Sequence, residues 1–479
     1  MYLTKDIFIY MKNKKPNITE VVLRDGQQSL IATRMKTKDM VPALLKMDKV
    51  GFSSVEVWGG ATYDVCLRFL NEDPWERLKV FKKYFKNTQL QMLLRGKNLV
   101  GYKKYHDSVI ELFISNSIKK GINIFRIFDS LNDINNLKSS IEYVNNGGQN
   151  SQGTICYTTS PVHNEKYWLK LAKNIEDLGA KSLAIKDMAG LLRPQVCFSL
   201  VKKLKANLKI PIHIHTHSTT GLADATNFKA YEAGVDNIDT SISSFSNLYA
   251  HTATESLISM LYENENNPYD MKLLTQISEH FHQIRPDYEI YEGSMKGVDI
   301  NMLINQVPGG MLSILEKQLL DLDRSDKLKE LIQEIPRIRE DVGYVPLVTP
   351  SSQIVGAQAL MNVLDEKRYK TLTKEFVDLV NGEYGKVPGK ISTKLLKRVE
   401  KSKQSEISSD DLKDTNFYKN KFKNFCNENY LKDLYKDNSH LLNYILFTKE
   451  SENFYLSNMK NNMNDIIGLQ EGFGLYINE

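Results

Sequence analysis

The chain has 479 residues, 41% of them hydrophobic and 25% charged, which is ordinary for a globular protein and too long for one small domain. Its net charge of +5 is the small difference between 63 basic and 58 acidic residues, so charge gives no reason to expect nucleic acid or a membrane surface as a partner. The short apolar run near the N-terminus fits neither a signal peptide nor a membrane span, which needs about 20 apolar residues.

The four cysteines lie far apart in the sequence and form no Cys-x-x-Cys pair. Such spacing is typical of a reduced intracellular protein rather than of a disulfide framework. We therefore expect a cytoplasmic protein.

Short apolar runs rich in β-branched residues recur from residue 18 to residue 246, and each ends in polar or glycine residues. Amphipathic stretches of helical length separate them, for instance 109–121 and 195–208. The predicted strands are 18–25, 54–60, 89–96, 122–130, 152–160, 181–190, 210–218 and 237–246.

Strands that alternate with helices favour parallel βαβ units, and eight units in about 230 residues predict a closed (β/α)8 TIM barrel. An open doubly wound sheet is the alternative. Against it, no strand is followed by a Gly-x-Gly-x-x-Gly turn, and polar groups sit at the C-terminal end of nearly every strand. In a barrel, that end is where active sites lie.

The pattern changes beyond about residue 300, where helical segments are joined by proline and glycine turns. The sequence predicts a barrel domain over 17–310 and a mainly α-helical domain over 311–455. A Lys-, Asn- and Ser-rich stretch at about 400–415 is expected to be a linker, and 456–479 a polar tail.

Three histidines alternate along the predicted seventh strand, in the run IPIHIHTHSTTG, so their side chains share one face. The two nearest the strand end, His215 and His217, are expected at the barrel mouth, whereas His213 lies deeper and is structural. With Asp25, which closes the first strand, they form a nitrogen and oxygen set suited to a divalent zinc, manganese or cobalt ion.

Two basic residues also close strands, Arg95 the third and Lys186 the sixth. An arginine suits a substrate carboxylate, because a guanidinium gives two parallel charge-assisted hydrogen bonds. Lys186 could be a Schiff-base amine, a cation for an anion, a CO2 carbamate or the partner of a nearby aspartate. The carbamate fits a metal site best, because an ammonium would be repelled there while a carbamate adds an anionic oxygen ligand.

These segments together resemble the carboxyltransferase component of biotin-dependent enzymes that act on 2-oxo acids, a group that includes pyruvate carboxylase, the oxaloacetate decarboxylase alpha subunit and the pyruvate-binding subunit of transcarboxylase. The similarity runs over about residues 17 to 400. The matching motifs are RDGQQSLIATRM, EVWGGATYDVCLRFLNEDPWERL, QMLLRGKNLVGY, FRIFDSLND, GTICYTTSPVH, IKDMAG, HIHTHSTTG, VPGGMLS, PLVTPSSQIVG and NGEYG.

The resemblance implies a TIM barrel whose metal is held by Asp25, His215, His217 and Lys186 as N6-carboxylysine. It also implies that the metal polarises the keto oxygen and stabilises an enolate, which exchanges a carboxyl group with carboxybiotin. Its further implication is a set of positions that bind the keto acid or the biotin ring, namely Gln28, Arg95 and Tyr102.

Two positions depart from the family pattern. Gln27 stands where the family usually has a histidine that is not a metal ligand. Tyr249 stands where pyruvate carboxylase and oxaloacetate decarboxylase carry a threonine thought to pass a proton between biotin and pyruvate. Tyr249 or His251 is expected to take over that proton shuttle, or else to pack the loop.

The sequence has no Ala-Met-Lys-Met acceptor, so no biotinyl domain is expected and the biotin is expected on a separate biotin carboxyl carrier protein. A biotin carboxylase or another carboxyltransferase subunit is a candidate further partner, and the chain is expected to be a homodimer.

Two alternative functions stay open. One is a catalytically weakened scaffold, suggested by Tyr249, and the other is a lyase or synthase of the group that includes hydroxymethylglutaryl-CoA lyase and isopropylmalate synthase.

Overall fold

A computed structural model describes residues 14–262, 266–293, 296–299, 301–307, 309–401 and 412–459. The N-terminal run 1–13, most of the predicted linker and residues 460–479 of the predicted tail lie outside the described residues.

Eight parallel strands close into a barrel in sequence order, which confirms the predicted TIM-barrel architecture. The first strand pairs with the eighth through four residues, Asn17 with Asn237 to Glu20 with Thr240. The strands are β1 Asn17–Glu20, β2 Ser54–Trp58, β3 Gln89–Arg95, β4 Ile124–Phe128, β5 Asn150–Cys156, β6 Ser182–Asp187, β7 Ile212–Thr216 and β8 Asn237–Thr240.

The first strand is shorter than its sequence run predicts, because it ends at Glu20 and not at Asp25. The chain turns there into one wide helical turn, Val22–Gly26. Gly26 permits this turn to pack against the end of the neighbouring strand β8, since a Cβ at Gly26 would lie 2.3 Å from the hydroxyl oxygen of Ser241. The turn places Asp25 over the barrel mouth instead of along its wall.

Helices surround the barrel and continue beyond it. Several were not singled out from the sequence, among them Pro74–Tyr84, Met271–Ile284 and Thr415–Glu428. Helices of eight or more residues include Thr37–Met47, Pro74–Tyr84, Asp107–Lys119, Lys138–Asn146, Glu165–Asp177, Pro194–Asn207, Ala223–Glu232, Thr254–Leu261, Met271–Ile284, Gly309–Asp321, Leu328–Asp341, Ser351–Leu364, Lys374–Asn381, Thr393–Glu400, Thr415–Glu428 and Asn438–Leu446, and helical residues continue over 448–459.

Two large apolar cores hold these elements. One lies between the barrel and its helices and also contains Phe422, Leu441 and Tyr444 from the helices Thr415–Glu428 and Asn438–Leu446. The other lies among the helices between residues 309 and 400. A small third cluster joins them at the barrel mouth, where Phe128 and Cys156 contact Val348. The helices between residues 309 and 400 therefore cover the mouth, whereas residues 415–455 pack on the barrel. The domain limits predicted above stay a proposal.

Within the part of the chain that the structure describes, no helix has both the length and the apolar character needed to cross a bilayer.

A buried glutamate ties the end of β1 to the loop that follows β8. Glu20 accepts hydrogen bonds from the main-chain N–H groups of Val22 at 2.9 Å and Ile242 at 3.0 Å, and its other oxygen lies 2.6 Å from the Thr254 hydroxyl. Thr254 lies 2.8 Å from the Thr240 hydroxyl. Burial raises the pKa of Glu20 to about 8, against these hydrogen bonds, which lower it. A protonated Glu20 can donate to Thr254, which then donates to Thr240.

We predict that Glu20→Gln removes a pH dependence of stability. Unfolded glutamate ionises near pH 4.3, so between that pH and about 8 unfolding releases a proton and stability falls as pH rises, by up to about 1.4 kcal/mol per pH unit. A glutamine amide can make the same hydrogen bonds without ionising. The melting temperature of the variant relative to wild type is therefore expected to rise from pH 5.5 to pH 8. A constant offset across this range would contradict the account, and exposed Glu76→Gln serves as the control.

Candidate metal centre

One carboxylate and three histidines converge beneath the barrel mouth. Asp25, His215, His217 and His251 are all buried, and one ligand atom from each lies within 4.8 Å of the others. Oδ2 of Asp25 lies 3.2 Å from Nε2 of His215, 3.5 Å from Nε2 of His217 and 3.4 Å from Nε2 of His251. Ligand atoms around a tetrahedral zinc with bonds of about 2.0–2.1 Å are about 3.3–3.4 Å apart. The spacing around Asp25 therefore matches a metal site.

Each of these histidines has its other ring nitrogen fixed by an oxygen. Nδ1 of His215 lies 2.5 Å from Oδ2 of Asp239, that of His217 lies 2.6 Å from the Tyr249 carbonyl, and that of His251 lies 2.9 Å from the Thr216 carbonyl. Ionised carboxylate and carbonyl oxygens only accept, so the proton is on Nδ1 in each ring. All three Nε2 lone pairs are thus directed into the cluster, the arrangement that metal-binding histidines show.

Several of these atoms have no other hydrogen-bond partner. The Nε2 atoms of His217 and His251 are buried and make no hydrogen bond, and neither does Oδ2 of Asp25, which forms an ion pair with Arg24. Buried polar atoms without partners are rare and costly. A divalent cation at their centre would satisfy them together.

The barrel brings the four residues together from three strand ends. His215 lies in β7, and His217 follows it with its N–H bonded to the Asp187 carbonyl at 3.1 Å. His251 belongs to the loop after β8, which folds back and forms a bridge between His217 and His251. Nothing in the sequence pattern indicated that this loop places His251 beside His217, because that placement depends on main-chain contacts between the end of β7 and the loop.

Asp25 is held from both sides. The Ser29 hydroxyl donates to its Oδ1 at 3.0 Å, and Nη2 of Arg24 lies 2.8 Å from its Oδ2. Arg24 in turn donates to the buried Glu56 at 2.5 Å. Burial opposes ionisation of Asp25, but the positive charge of Arg24 outweighs it and holds the pKa of Asp25 well below the usual value. An ionised Asp25 can therefore supply an anionic oxygen donor.

Lys186 borders the cluster. Its Nζ lies 3.0 Å from Nε2 of His215, and burial lowers the pKa of the amine. A neutral amine in this position fits the requirement for carbamate formation with CO2. The carbamate itself stays a prediction.

A second layer below the cluster was missed from the sequence. Asp239, in β8, contacts His215 and also lies 2.5 Å from Nε2 of His213. It pairs with the guanidinium of Arg126, from β4, which also donates to Gln152 at 2.6 Å. Burial opposes ionisation of Asp239, but Arg126 and the histidines hold its pKa well below the usual value. The sequence feature that could have indicated this layer was Asp239, a carboxylate on the strand next to the HIHTH run.

A cavity of about 620 Å³ lies above the cluster, between the mouth and the helices that cover it. Of the residues predicted to contact substrate, Gln28 and Arg95 line it together with Asp25, Lys186 and His217. Apolar walls come from the barrel and from the covering helices. They include Leu93, Phe128, Met188, Met311, Leu315, Leu347 and Val348.

Arg95 is oriented by its own loop. Its Nη1 donates to the carbonyls of Val100 and Gly101, both at 2.8 Å, and its guanidinium lies against Gly60, where a Cβ would come within 2.6 Å of Nη1. The Tyr102 ring lies 5.1 Å from the same guanidinium, and its hydroxyl donates to Asp64 at 3.1 Å. Tyr102 therefore lies outside the cavity lining and contacts it through Arg95.

Tyr249 contributes its carbonyl to His217, whereas its ring packs on the barrel core and close to Gly293. Neither Tyr249 nor the fully buried His251 lines the cavity. The structure thus brings Asp25, Lys186, His215, His217 and His251 together and leaves the Tyr249 side chain apart from them.

Comparison with known families divides the chain into two matches. Residues 15–281 match the family described as HMGL-like, and residues 302–471 match the family described as conserved carboxylase domain.

Among known proteins, a pyruvate carboxylase subunit of Methanocaldococcus jannaschii is 51% identical over 384 residues, covering 80% of this chain and 68% of that protein. The methylmalonyl-CoA carboxyltransferase 5S subunit of Propionibacterium freudenreichii is 48% identical, covering 81% and 77%. A solved structure of the carboxyl transferase domain from Rhizobium etli pyruvate carboxylase, with pyruvate and biocytin, superposes with a TM-score of 0.87 at 32% identity, covering 94% of this chain and 79% of that one.

We predict that Asp239→Asn weakens binding of a divalent metal by about 10- to 100-fold, the usual effect of losing an oxygen partner of a ligating histidine. The amide would present a donor to one of the groups that Asp239 now accepts from. Competition with a chromophoric chelator measures the affinity. Asp236→Asn is the matched control, because Asp236 pairs with exposed Lys205 outside the site. Equal metal affinity in Asp239→Asn and wild type would contradict the role assigned to Asp239.

Proposed function

The chain belongs to the carboxyltransferase family of pyruvate carboxylases, and from this premise we propose that it moves a carboxyl group between carboxybiotin on a separate carrier protein and pyruvate or oxaloacetate. The observation that carries the proposal is the cluster of Asp25 and correctly oriented histidine nitrogens directly below a partly apolar cavity. A biotin prosthetic group and a divalent metal are what this family uses.

The residues present fit a divalent metal. Asp25, His215 and His217 supply one anionic oxygen and two neutral imidazoles, a donor set that suits zinc, manganese or cobalt. Lys186, as N6-carboxylysine, would add a second anionic oxygen. Bound there, the metal would act as a Lewis acid that polarises the keto oxygen of the substrate.

The carbamate at Lys186 is supported by its surroundings. The amine is buried at the end of β6, beside Cys156 and His215, where burial favours its neutral form. A protonated amine in that place would face a dication. Carbamylation converts this repulsion into attraction, because the modified side chain carries a negative charge.

The substrate carboxylate is assigned to Arg95. The guanidinium is fixed by two main-chain carbonyls and by the Tyr102 ring, so little side-chain freedom is lost when it binds an anion. Burial lowers the pKa of Arg95 from its usual value, but an arginine side chain stays charged. Gln28, which accepts a long 3.5 Å hydrogen bond from Arg24, would contact the keto acid or the biotin ring.

Water exclusion is assigned to the apolar walls. Phe128 and Met188 from the barrel face Val348 from the covering segment. A cavity lined in this way strengthens charge interactions within it and protects a reactive carboxyl donor from water. The proton shuttle predicted for Tyr249 or His251 stays a prediction with less support, because neither side chain lines the cavity.

The carrier is proposed to be a separate biotin carboxyl carrier protein, since two of the related proteins bear subunit names. A biotin carboxylase would be needed as well if carboxylation starts from bicarbonate, and another carboxyltransferase subunit if the complex transfers between two acids. A homodimer is also proposed. The 2-oxo acid could instead be 2-oxoglutarate, because a third relative, from Hydrogenobacter thermophilus, is named a 2-oxoglutarate carboxylase large subunit.

The alternatives have less support. A lyase or synthase of the wider barrel group accounts for the match over 15–281 but not for the conserved carboxylase match over 302–471. A catalytically weakened scaffold does not explain why the metal cluster keeps unpartnered ligand atoms.

The proposal predicts that the purified chain catalyses the loss of carboxylate from oxaloacetate, that free biotin stimulates the rate, and that a metal chelator abolishes the stimulated rate. Lys186→Ala is expected to lower that rate by about 10²–10³-fold, the usual cost of removing a positioned electrostatic group from an active site. Oxaloacetate loss is followed directly by absorbance.

Lys181→Ala is the matched control, because this lysine is exposed at the other end of β6. Stoichiometric metal without any biotin-stimulated loss of oxaloacetate would refute the enzyme and favour the scaffold. Equal rates in Lys186→Ala and wild type would refute only the proposed carbamate at Lys186 and would leave the proposed enzyme activity standing.

A further inference from the structure

The group of candidate metal-binding side chains contains a histidine, His251, that is not among the ligands the resemblance implies. The implied set has two histidines, and it reaches four ligands only through a modified Lys186. His251 comes from a different strand end and has its Nε2 3.4 Å from Oδ2 of Asp25, between the spacings of 3.2 Å and 3.5 Å that the two implied histidines show.

We propose that His251 is a ligand of the metal, so that Asp25 and three imidazoles form a complete tetrahedral set without any modification of Lys186. This inference rests on the proposed metal centre. A carbamate at Lys186 would then be a fifth donor that adjusts charge and chemistry, and the metal would stay bound without it.

The ring of His251 is oriented for this role. Its Nδ1 donates to the Thr216 carbonyl at 2.9 Å, so its Nε2 carries the lone pair, and that atom is buried with no hydrogen-bond partner. The His251 ring centroid lies 4.4 Å from that of His215 and 4.2 Å from that of His217. A neutral imidazole aimed at a carboxylate oxygen without a proton between them gains little until a cation lies between them.

Main-chain hydrogen bonds to both strands fix the backbone on either side of His251. Ser218 N–H bonds to the Ala250 carbonyl at 2.7 Å, and Ser241 N–H bonds to the Thr252 carbonyl at 3.0 Å. His251 is thus held between the ends of β7 and β8 by hydrogen bonds on both of its neighbours. A ligand on such a support loses little conformational entropy when the metal binds.

A proton-transfer role fits these contacts less well. A shuttle needs access to the reacting groups and freedom to exchange its proton, whereas His251 is 0% exposed. Its Nδ1 proton is committed to a carbonyl, and its Nε2 faces the ligand cluster and not the cavity.

The test uses cobalt binding to the metal-free full-length protein, without any activity measurement. His251→Leu removes both ring nitrogens, and it is expected to weaken Co²⁺ affinity by more than about tenfold and to change the visible absorption of the bound cobalt. Lys186→Ala is expected to keep one bound Co²⁺ with less than that loss. His163→Leu is the matched control, because His163 is a buried histidine bonded to Ser160 outside the cluster.

X-ray absorption of wild-type protein loaded with zinc gives a second measurement that needs no variant, since scattering from imidazole rings counts the histidine ligands. Three imidazoles support the proposal and two overturn it, whether or not His251→Leu folds. Unchanged cobalt affinity and absorption in a folded His251→Leu would overturn it as well.

The same measurements separate this inference from the proposed function. Three imidazoles in a protein that lacks biotin-stimulated activity would leave the ligand assignment standing and refute the carboxyltransferase. Two imidazoles in an active enzyme would refute only the ligand role of His251.

Discussion

The site depends on one constraint, which is that three buried histidines each donate a hydrogen bond from Nδ1 to an oxygen held in place by the fold. Asp239 fixes His215, and main-chain carbonyls fix His217 and His251. With Nδ1 committed, the Nε2 atoms of all three histidines face Oδ2 of Asp25, and that of His215 also lies beside Nζ of Lys186. Arg24 and Arg126 keep the two carboxylates ionised, so the cluster is both geometrically and electrostatically ready for a cation.

The barrel provides this constraint through its topology. Parallel strands end at one rim, and residues from the turn after β1, from the end of β7 and from the loop after β8 meet there although they are far apart in sequence. Glu20 joins β1 to the loop after β8, so the support of Asp25 and the support of His251 share a buried hydrogen-bond chain. The covering helices then close a cavity above the metal cluster with apolar walls, and Arg95 stands at its edge.

The features that follow from local periodicity could be predicted from the sequence. Alternating apolar runs and helices predicted the barrel, and alternation within HIHTH placed His215 and His217 on one face. The pattern could not show that β1 ends at Glu20, because the turn at Val22–Gly26 depends on packing against Ser241. Nor could it show the return of His251 or the layer of Asp239 and Arg126, since both arise from contacts between strands rather than from spacing along one strand.

The most direct test of the metal centre is the anomalous scattering of a crystal of the protein grown with Mn²⁺ or Zn²⁺. We expect a single strong anomalous peak within about 2.0–2.2 Å of Oδ2 of Asp25 and of the Nε2 atoms of His215 and His217. The absence of a peak at this position, in a crystal that holds the metal elsewhere or not at all, would contradict the central claim that these residues form the metal centre of a carboxyltransferase.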